Sequence, residues 1–331
     1  MHPLSRHLCR AKAGQIFTAN SVRYELLGKI GNGAVGIVRK AKAVSSGRIV
    51  AIKFLAPDPK YIDPAAFDDV LQRFSREGKR APGLDHENLV KVIAYEDNSD
   101  GVCFDSRIVI NPFIVMEYIR GATLESLIRD ISKAGSARVV YTEQTLSIAV
   151  SLCRALEYLH DYKIVHRDVK PANVFLSSNA LGREPAVVKL GDFGVTKWGD
   201  FRAAISSGTL TVSHQQGLGT MKYMSPEQSV RPKDVTVRSD MFSLGVTLYE
   251  LFTAQILPSP HHVFEIMMAR NQRGPISWKM NALKISCPLG EEERLFEIIL
   301  DMFLASPKGR PASTRTKGAF EVMLERVLEK P

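Results

Sequence analysis

One polar segment near the middle of the chain combines residue types that can act on a phosphate group. Residues His166 to Asn173 have the sequence HRDVKPAN. Within it, Asp168 offers a carboxylate that can accept a hydroxyl proton, and Lys170 offers a cation that can neutralise a phosphate. Each residue alone could simply cap a turn of a loop. Their combination in this order indicates phosphoryl transfer.

A second acidic residue follows after two strand-like stretches, in the tight-turn sequence GDFG at residues 191 to 194. Mg²⁺ prefers oxygen ligands, and proteins usually hold it with one or two side chains while substrate phosphates supply further ligands. The amide oxygen of Asn173 and the carboxylate of Asp192 are sufficient for such a site. We therefore predict that Asn173 and Asp192 bind magnesium.

A glycine-rich stretch lies near the start of the chain, where residues 31 to 38 have the sequence GNGAVGIV. A Gly-x-Gly-x-x-Gly pattern alone is weak evidence, because it also occurs in dinucleotide sites and in ordinary turns. In the dinucleotide fold the glycines lead into a helix, whereas here they lie between strand-like stretches. We expect a hairpin whose backbone closes over phosphates.

A lysine and a glutamate in the first hundred residues are candidates for an ion pair. Lys53 ends an alternating apolar stretch, where a lone lysine is usually a surface residue. Glu77 follows Phe74 by three residues and so falls on an apolar helical stripe. A carboxylate on a core-facing stripe requires a cation, since a buried unpaired charge is costly, and Lys53 is the best-placed partner. The alternative is a partly exposed Glu77, because Gly78 indicates that the helix is close to its end.

The first part of the chain has the pattern of an antiparallel sheet with one helix. Short β-branched and aliphatic stretches alternate with glycine and polar turns. Asp63-Pro64 predicts a helix start, and apolar residues then recur at three- and four-residue spacing. The five predicted strands are Tyr24 to Ile30, Gly36 to Ala41, Arg48 to Leu55, Leu89 to Tyr95 and Asn111 to Tyr118.

Helical periodicity dominates the rest of the chain. Leu146 to Leu159 is amphipathic, and Met241 to Phe252 is apolar on nearly all sides, which predicts a buried helix. Gly191 to Glu227 has little apolar periodicity and, at more than about 30 residues, is too long for an ordinary connection. Further helices are predicted at Leu124 to Ile131, Phe296 to Phe303 and Phe320 to Leu328, and strands at Val174 to Leu176 and Val187 to Leu190.

Composition and charge narrow the class of protein. The chain has 331 residues, 45% of them hydrophobic, and a formal net charge of +9. No apolar run approaches the ~20 residues that span a bilayer, and the N-terminal stretch lacks a signal-peptide core. The cysteines form no Cys-x-x-Cys pair, so we expect no disulfide framework and a reducing, cytoplasmic setting. No Lys/Arg block marks a nucleic-acid tail, so nucleic acid is not expected as a partner.

In these motifs the chain resembles a protein kinase catalytic domain, and is most similar to the eukaryotic-like serine/threonine kinases of bacteria. The resemblance extends from about Tyr24 to Leu328. It implies an α+β, bilobal fold, with a small antiparallel β-sheet lobe and its one helix at residues 23–120 and a larger, mainly helical lobe at residues 121–331. Residues 1–22 would form a basic N-terminal tail. The implied activity is transfer of the γ-phosphate of ATP, with Mg²⁺, to serine or threonine hydroxyls of proteins.

The resemblance also implies a role for each motif. Asp168 would be the catalytic base, and Lys170 would neutralise the γ-phosphate. Asn173 and Asp192 would be the metal ligands. For ATP, the resemblance implies that Lys53, with its partner Glu77, binds the phosphates and that Gly31, Gly33 and Gly36 cover them. Adenine would be contacted by Val38, Ala51 and Phe175. Met116 would be the gatekeeper, and the backbone groups of Glu117 and Ile119 would form hydrogen bonds with adenine.

Residues 219–228, with the sequence GTMKYMSPEQ, resemble the end of a kinase activation segment. By the same resemblance Arg310 would pair with Glu227, and Asp240 would support the catalytic loop from the buried helix. Arg167 beside the catalytic aspartate implies activation by phosphorylation, because an arginine can order a phosphorylated loop. Candidate sites are Ser206, Ser207, Thr209, Thr211 and Ser213, and we favour Thr209 and Thr211.

Two other functions share part of this pattern. A small-molecule kinase of the aminoglycoside or choline type has a similar lobe plan but generally lacks the segment at 219–227 that supports a peptide substrate. A pseudokinase acting as a binding module usually loses the equivalents of Lys53, Asp168 or Asp192, which are all present here. We expect protein substrates, and regulation through the tail, the activation segment, dimerisation or a partner chain.

Overall fold

The structure is a computed structural model, and it describes residue 14 and residues 16–19, 21–32, 36–56, 67–97, 103–104, 108–109, 112–133, 142–177, 187–192, 221–271 and 291–329. These residues divide into two units. The first unit contains the described residues up to His86 and Val90–Tyr118. The second contains Glu87–Leu89, Ile119–Asp192 and the described residues from 221 onward.

The first unit is built on a six-stranded antiparallel sheet in the order β1-β2-β3-β4-β8-β5. A separate two-stranded pair, β6 with β7, lies between β5 and β8 in the chain. Helix α1, Phe67–Arg80, follows β4 in sequence. The strands are β1 Ile16–Ala19, β2 Val22–Asn32, β3 Gly36–Ala43, β4 Ile49–Leu55, β5 Val92–Glu96, β6 Cys103–Phe104, β7 Ile108–Val109 and β8 Phe113–Glu117.

The sheet of the first unit buries one of its faces. Alternate residues of each strand point to the same face, so a two-residue apolar repeat produces a continuous core. The core residues follow that repeat and are Tyr24, Leu26, Ala41, Ala43, Val50, Ile52, Ala94, Phe113 and Val115. The β-branched and aliphatic stretches that predict the strands supply these core residues.

The predicted and observed sheets differ at one edge. The five predicted strands all form, but Ile16–Ala19 adds a sixth, paired with Val22 to Glu25. This strand lies inside the range that the sequence assigned to a basic tail. With only four residues, it is too short to show a clear side-chain pattern, and it is defined by its backbone pairing with β2. The predicted helix start at Asp63-Pro64 lies outside the described residues.

The second unit is mainly helical, which with the sheet unit confirms the α+β prediction. A small three-stranded sheet, in the order β11-β10-β9, accompanies the helices. The strands are β9 Gly121–Thr123, β10 Val174–Ser177 and β11 Val188–Leu190. The helices are α2 Leu124–Lys133, α3 Glu143–Asp161, α4 Pro226–Val230, α5 Val237–Thr253, α6 Pro260–Asn271, α7 Glu291–Met302 and α8 Ser313–Leu328.

Helix α5 is the centre of the second unit. Its residues from Ser239 to Thr253 are all buried, as the all-round apolar sequence predicts. Thr236 begins the helix through a reciprocal capping box with Ser239, which satisfies backbone N–H groups at the helix start. Helices α3 and α7 pack against α5, and α8 packs against α3. None of the helices in the described ranges combines the length and hydropathy needed to span a bilayer.

Candidate active site

The HRDVKPAN segment forms a buried loop between α3 and β10 in the second unit. A short 3₁₀ turn, Pro171–Asn173, ends the loop and leads into β10. His166, Asp168 and Asn173 are 0%, 4% and 7% exposed. Burial of three polar residues in one loop requires hydrogen-bond partners for each of them. Those partners define the local geometry.

The carboxylate of Asp168 is oriented by two other residues of the predicted set. Asn173 donates from Nδ2 to Oδ2 of Asp168 and to its backbone oxygen, both at 2.8 Å. Lys170 places Nζ 3.1 Å from Oδ1 of Asp168. The structure therefore brings the predicted base, the predicted phosphate-neutralising cation and one predicted metal ligand into direct contact. A carboxylate held in this way keeps a fixed direction for an approaching hydroxyl group.

Helix α5 supports the loop through Asp240, as the sequence predicted. The buried Asp240 carboxylate accepts hydrogen bonds from the backbone N–H groups of His166 and Arg167, both at 2.8 Å. Nε2 of His160, near the end of α3, lies 3.0 Å from the same carboxylate. Arg167 has a φ of 66°, a conformation that costs a non-glycine residue free energy unless its surroundings impose it. Asp240 supplies part of that constraint.

One loop-supporting residue had no role in the sequence-based prediction. Gln228, in α4, donates from Nε2 to the backbone oxygen of Arg167 at 2.9 Å. It is 3% exposed and directly follows Glu227. Gln228 closes the 219–228 segment, but a neutral glutamine carries no charge that needs a partner, so nothing in the sequence predicted its contact with the loop.

His166 is part of the packing of the loop rather than a proton carrier. It is fully buried, and its burial lowers the pKa of the imidazole below the ordinary value despite the neighbouring Asp240 carboxylate. The lowered pKa favours a neutral ring at neutral pH. Its Nδ1 accepts a hydrogen bond from the backbone N–H of Asp168 at 3.3 Å, which suits that neutral form.

The two predicted metal ligands lie in segments that are joined by a backbone hydrogen bond. The N–H of Gly191 donates to the backbone oxygen of Asn173 at 2.9 Å. Because Nδ2 of Asn173 is engaged with Asp168, its Oδ1 is the side-chain atom suited to a cation. Asp192 follows β11 with a φ of 58°, in the left-handed region that aspartate tolerates better than most residues. An amide oxygen and a carboxylate oxygen fit the preference of Mg²⁺.

The predicted ion pair between Lys53 and Glu77 forms in the first unit. Nζ of Lys53, on β4, lies 3.5 Å from Oε1 of Glu77, on α1. The side chains are 12% and 4% exposed. Glu77 is therefore on the buried face of α1, as the stripe predicted, and its partner comes from the sheet. Gly78 lets helix α1 pack closely on β5, because a Cβ at this position would lie 1.9 Å from the ring of Tyr95.

The glycine-rich stretch is described only at its two ends. Gly31 is the register partner of Val38 across β2 and β3, so the stretch is a hairpin rather than a strand-to-helix turn. A Cβ on Gly36 would lie 2.4 Å from the backbone oxygen of Phe54, which excludes larger residues there. Gly33 lies outside the described residues.

The residues predicted to contact adenine lie on neighbouring strands of the first unit and on one strand of the second. In the first unit Ala51 is the register partner of Met116, and Val38 is the partner of Lys53. Phe175, in the second unit, lies on β10 opposite Lys189. Their contact with adenine stays a prediction.

Two backbone regions at the end of the first unit are held together by Glu117. Its backbone N–H donates to the oxygen of Lys91 at 2.9 Å, and its Oε1 accepts from the N–H of Lys91 at 2.7 Å. These bonds fix the backbone at Glu117, where the resemblance predicts a hydrogen bond to adenine. The chain passes from the first unit to the second between Tyr118 and Ile119.

The pair predicted between Glu227 and Arg310 also forms. Nη1 and Nη2 of Arg310 lie 2.6 Å and 2.8 Å from the two carboxylate oxygens of Glu227. Ser239 donates to Glu227 as well, at 2.7 Å. Burial alone would raise the pKa of Glu227, but the bonds from Arg310 and Ser239 hold it below its ordinary value. The predicted phosphorylation sites at 206–213 and the residues Gly219 and Thr220 lie outside the described residues.

Comparison with known proteins gives consistent relatives. The family model for the protein kinase domain matches residues 24–319. A probable serine/threonine-protein kinase of Streptomyces coelicolor is 38% identical over 235 residues, which are 70% of this chain and 30% of that protein. Serine/threonine-protein kinase PknB of Mycobacterium leprae is 35% identical over 235 residues, 71% of this chain and 33% of that protein. The chain thus spans about a third of the length of these curated relatives.

Solved structures agree on the fold. A crystal structure of the PknI kinase domain of Mycobacterium tuberculosis matches with a TM-score of 0.63 at 23% identity, covering 95% of this chain and 100% of that one. A double mutant of the same domain gives a TM-score of 0.63 at 21% identity, covering 96% and 100%. The predicted bilobal kinase fold and the resemblance to bacterial serine/threonine kinases are confirmed. The chain belongs to the protein kinase domain family.

Proposed function

We propose that this chain transfers the γ-phosphate of ATP to serine and threonine hydroxyl groups of proteins. The observation that carries the proposal is the loop geometry, in which Asn173 and Lys170 both contact the Asp168 carboxylate at 2.8 Å and 3.1 Å. The relatives named above are serine/threonine-protein kinases, which supports the same acceptor class. The segment at 219–227 favours a protein over a small molecule as acceptor.

Asp168 acts as the base of the reaction. The acceptor oxygen forms a bond to the γ-phosphorus, the bond from that phosphorus to the ADP oxygen breaks, and the hydroxyl proton passes to the Asp168 carboxylate. A positioned general base typically contributes about 10²- to 10⁴-fold to such a step. Lys170 lies beside the carboxylate and neutralises charge on the transferring phosphate.

Asn173 and Asp192 hold the metal. The Oδ1 atom of Asn173 and the carboxylate of Asp192 are the oxygen ligands. A Mg²⁺ ion bound there supplies positive charge that offsets the charge of the ATP phosphates. Asn173 has a second function, because its Nδ2 orients the base.

Lys53 binds the α- and β-phosphates, and Glu77 is its positioning residue. The contact at 3.5 Å between Nζ and Oε1 directs a flexible four-carbon side chain toward one place. The backbone of Gly31, Gly33 and Gly36 covers the phosphates. Adenine and its hinge contacts use Val38, Ala51, Met116, Glu117, Ile119 and Phe175.

We further infer that the chain phosphorylates itself in the segment between Asp192 and Thr220, with Thr209 and Thr211 favoured. Arg167, beside the base, provides a cation near which a phosphorylated loop can be ordered. The proposal also includes regulation by dimerisation or by a partner chain, and a cytoplasmic setting. It divides the chain into the tail and the lobes predicted at 1–22, 23–120 and 121–331, with strand β1 counted in the first lobe and not in the tail because it pairs with β2. Mass spectrometry of active protein that found no phosphate in this segment would reject self-phosphorylation there.

The activity is tested by incorporation of labelled phosphate from ATP. Wild-type protein should label itself and myelin basic protein, with the label on serine or threonine after hydrolysis, and Asp168→Asn should not. Wild-type protein that binds Mg·ATP but labels neither acceptor would instead support a binding module. Label transferred to aminoglycosides or choline but not to protein would support the small-molecule kinase.

A further inference from the structure

A buried charged cluster lies in the second unit, apart from the residues assigned to catalysis. We call it the Lys222 cluster, and its members are Lys222, Tyr223, Glu250 and Leu257. Their exposed fractions are 5%, 7%, 0% and 8%. A buried lysine and a buried glutamate together are unusual, because each charge loses its hydration. The pair needs a physical reason.

The cluster is closed by hydrogen bonds around the Glu250 carboxylate. Lys222 donates from Nζ to Oε1 of Glu250 at 2.5 Å and to the backbone oxygen of Leu257 at 2.7 Å. Oε1 also accepts from the backbone N–H of Leu257 at 2.8 Å, and Oε2 accepts from the hydroxyl of Tyr223 at 2.7 Å. Burial raises the pKa of Glu250, and the Lys222 cation counteracts that rise. Three separate backbone regions therefore meet at one carboxylate.

The same helix that supports the catalytic loop also holds this cluster. Asp240 and Glu250 lie ten residues apart on α5, or about 15 Å along its axis. Asp240 binds the backbone of Arg167, while Glu250 binds the side chains of Lys222 and Tyr223. Ser243, between them, donates to the backbone oxygen of Tyr223 at 2.7 Å. One buried helix thus sets the positions of both segments.

The segment at 221–228 lies beside the predicted catalytic base. Gln228 at its end bonds the backbone oxygen of Arg167, which directly precedes Asp168. Lys222 and Tyr223 hold the other end of the segment on α5. A protein acceptor that brings a hydroxyl to Asp168 therefore has residues 221–228 as a neighbour.

We propose that Lys222 is a positioning residue for the acceptor protein, through which the Glu250 carboxylate holds residues 221–224 in the shape that the acceptor binds. This inference rests on the proposed kinase function. A cationic side chain is needed because its N–H groups donate to both Glu250 and Leu257 while its charge balances the carboxylate. Lys222 does not contact the transferring phosphate in this account, so its loss affects acceptor binding and not ATP binding.

The test compares Lys222→Met, Lys222→Arg and the double variant Lys222→Met/Glu250→Gln. Removing the lysine alone leaves a buried carboxylate without its cation, which can also impair folding. The double variant removes both charges, keeps an amide oxygen that can accept from the N–H of Leu257 and an amide NH2 that can donate to the Tyr223 hydroxyl, and should unfold at a temperature closer to that of the wild type. Lys233→Met, at an exposed lysine, is the matched control.

The readouts are the KM for myelin basic protein and the KM for ATP. We expect both Met variants to raise the KM for myelin basic protein at least tenfold while the KM for ATP stays within twofold. Lys222→Arg should return the KM for myelin basic protein most of the way to the wild-type value. A KM for myelin basic protein within twofold of wild type in the folded double variant overturns the inference. So does an equal rise in both KM values, or failure of all three variants to fold, since these outcomes assign Lys222 to general stability. An inactive wild type would reject the proposed function itself, which separates the two failures.

Discussion

Two ion pairs, one in each unit, use the same charges in different ways. Arg310 and Glu227 meet through two contacts of 2.6 Å and 2.8 Å, and the Arg310 side chain is fully buried. Lys53 and Glu77 meet through a contact of 3.5 Å, and Lys53 remains 12% exposed. A planar, bidentate guanidinium suits a permanent contact, whereas an ammonium on a flexible stem suits a ligand that comes and goes. We infer that the Arg310–Glu227 pair stabilises the fold and that the Lys53–Glu77 pair positions Lys53 to bind ATP.

The largest expected effect on stability follows from removal of Arg310. Its guanidinium also donates to the backbone oxygens of Leu304, Ala305 and Arg238. Arg310→Met should therefore lower the free energy of unfolding by about 3–5 kcal/mol. Urea denaturation measures the loss. Arg231→Met, at an arginine that is 78% exposed, is the control and should change stability by less than about 0.5 kcal/mol. A similar loss in both variants would contradict the structural role of the pair.

A smaller effect is expected from Gly78→Ala, which disturbs the Lys53 pair without touching its charges. The new methyl group would overlap the ring of Tyr95, whose hydroxyl donates to Ser75 on the same helix at 2.7 Å. Overpacking of this kind costs about 1–3 kcal/mol. The displaced helix should also raise the KM for ATP. Gly83→Ala, where nothing lies within 4 Å of the added carbon, should change neither unfolding nor KM.

Removal of Lys53 should separate activity from stability. Lys53→Met is expected to lower the free energy of unfolding by less than Arg310→Met does, because the Lys53 contact is a single one of 3.5 Å, near the outer limit for a hydrogen bond. Phosphate transfer should nevertheless fall by more than about tenfold through lost phosphate binding. Calorimetry and steady-state kinetics measure the two quantities. Loss of stability equal to that of Arg310→Met would remove the distinction between the pairs.

The smallest effect is confined to acid pH. The pKa of Glu227 is lowered in the folded protein, so the unfolded chain binds a proton there more readily. The corresponding stability is present above the ordinary carboxyl pKa of 4.5 and is lost as the pH falls through the lowered value. Between neutral and acid pH, the free energy of unfolding should therefore fall more steeply with decreasing pH in the wild type than in Glu227→Gln, as measured by denaturation at a series of pH values. Equal slopes would show that the pair does not lower this pKa.

The sequence predicted those parts of the site in which charge or conformation restricts the residue type. Lys53 and Glu77 could be paired in advance because a carboxylate on a buried helical stripe requires a cation. Asp240 and Arg310 followed from the family resemblance and lie at the predicted contacts. The loop at 166–173 was predicted to act in phosphoryl transfer from the order of its acid, cation and amide, and these roles stay a prediction.

Other contacts left no such signal. Gln228 supports Arg167 through a neutral amide, and a glutamine beside Glu227 has many equally ordinary explanations. Strand β1 is defined by backbone pairing to β2, which no side-chain period reports. The pairing of Lys222 with Glu250 joins residues 28 positions apart, and their meeting depends on how residues 221–224 fold back onto α5. Contacts between residues this far apart in the chain leave no local pattern from which they could be predicted.

The most direct test of the account is the rate of phosphate transfer by Asp168→Asn. Asparagine keeps the size of the side chain and removes its capacity to accept the acceptor proton. With folding confirmed by circular dichroism and Mg·ATP binding by calorimetry, we predict that kcat falls about 10²- to 10⁴-fold while the acceptor KM changes little. A folded, ATP-binding Asp168→Asn protein with a kcat within threefold of the wild type would contradict the assignment of Asp168 as the base.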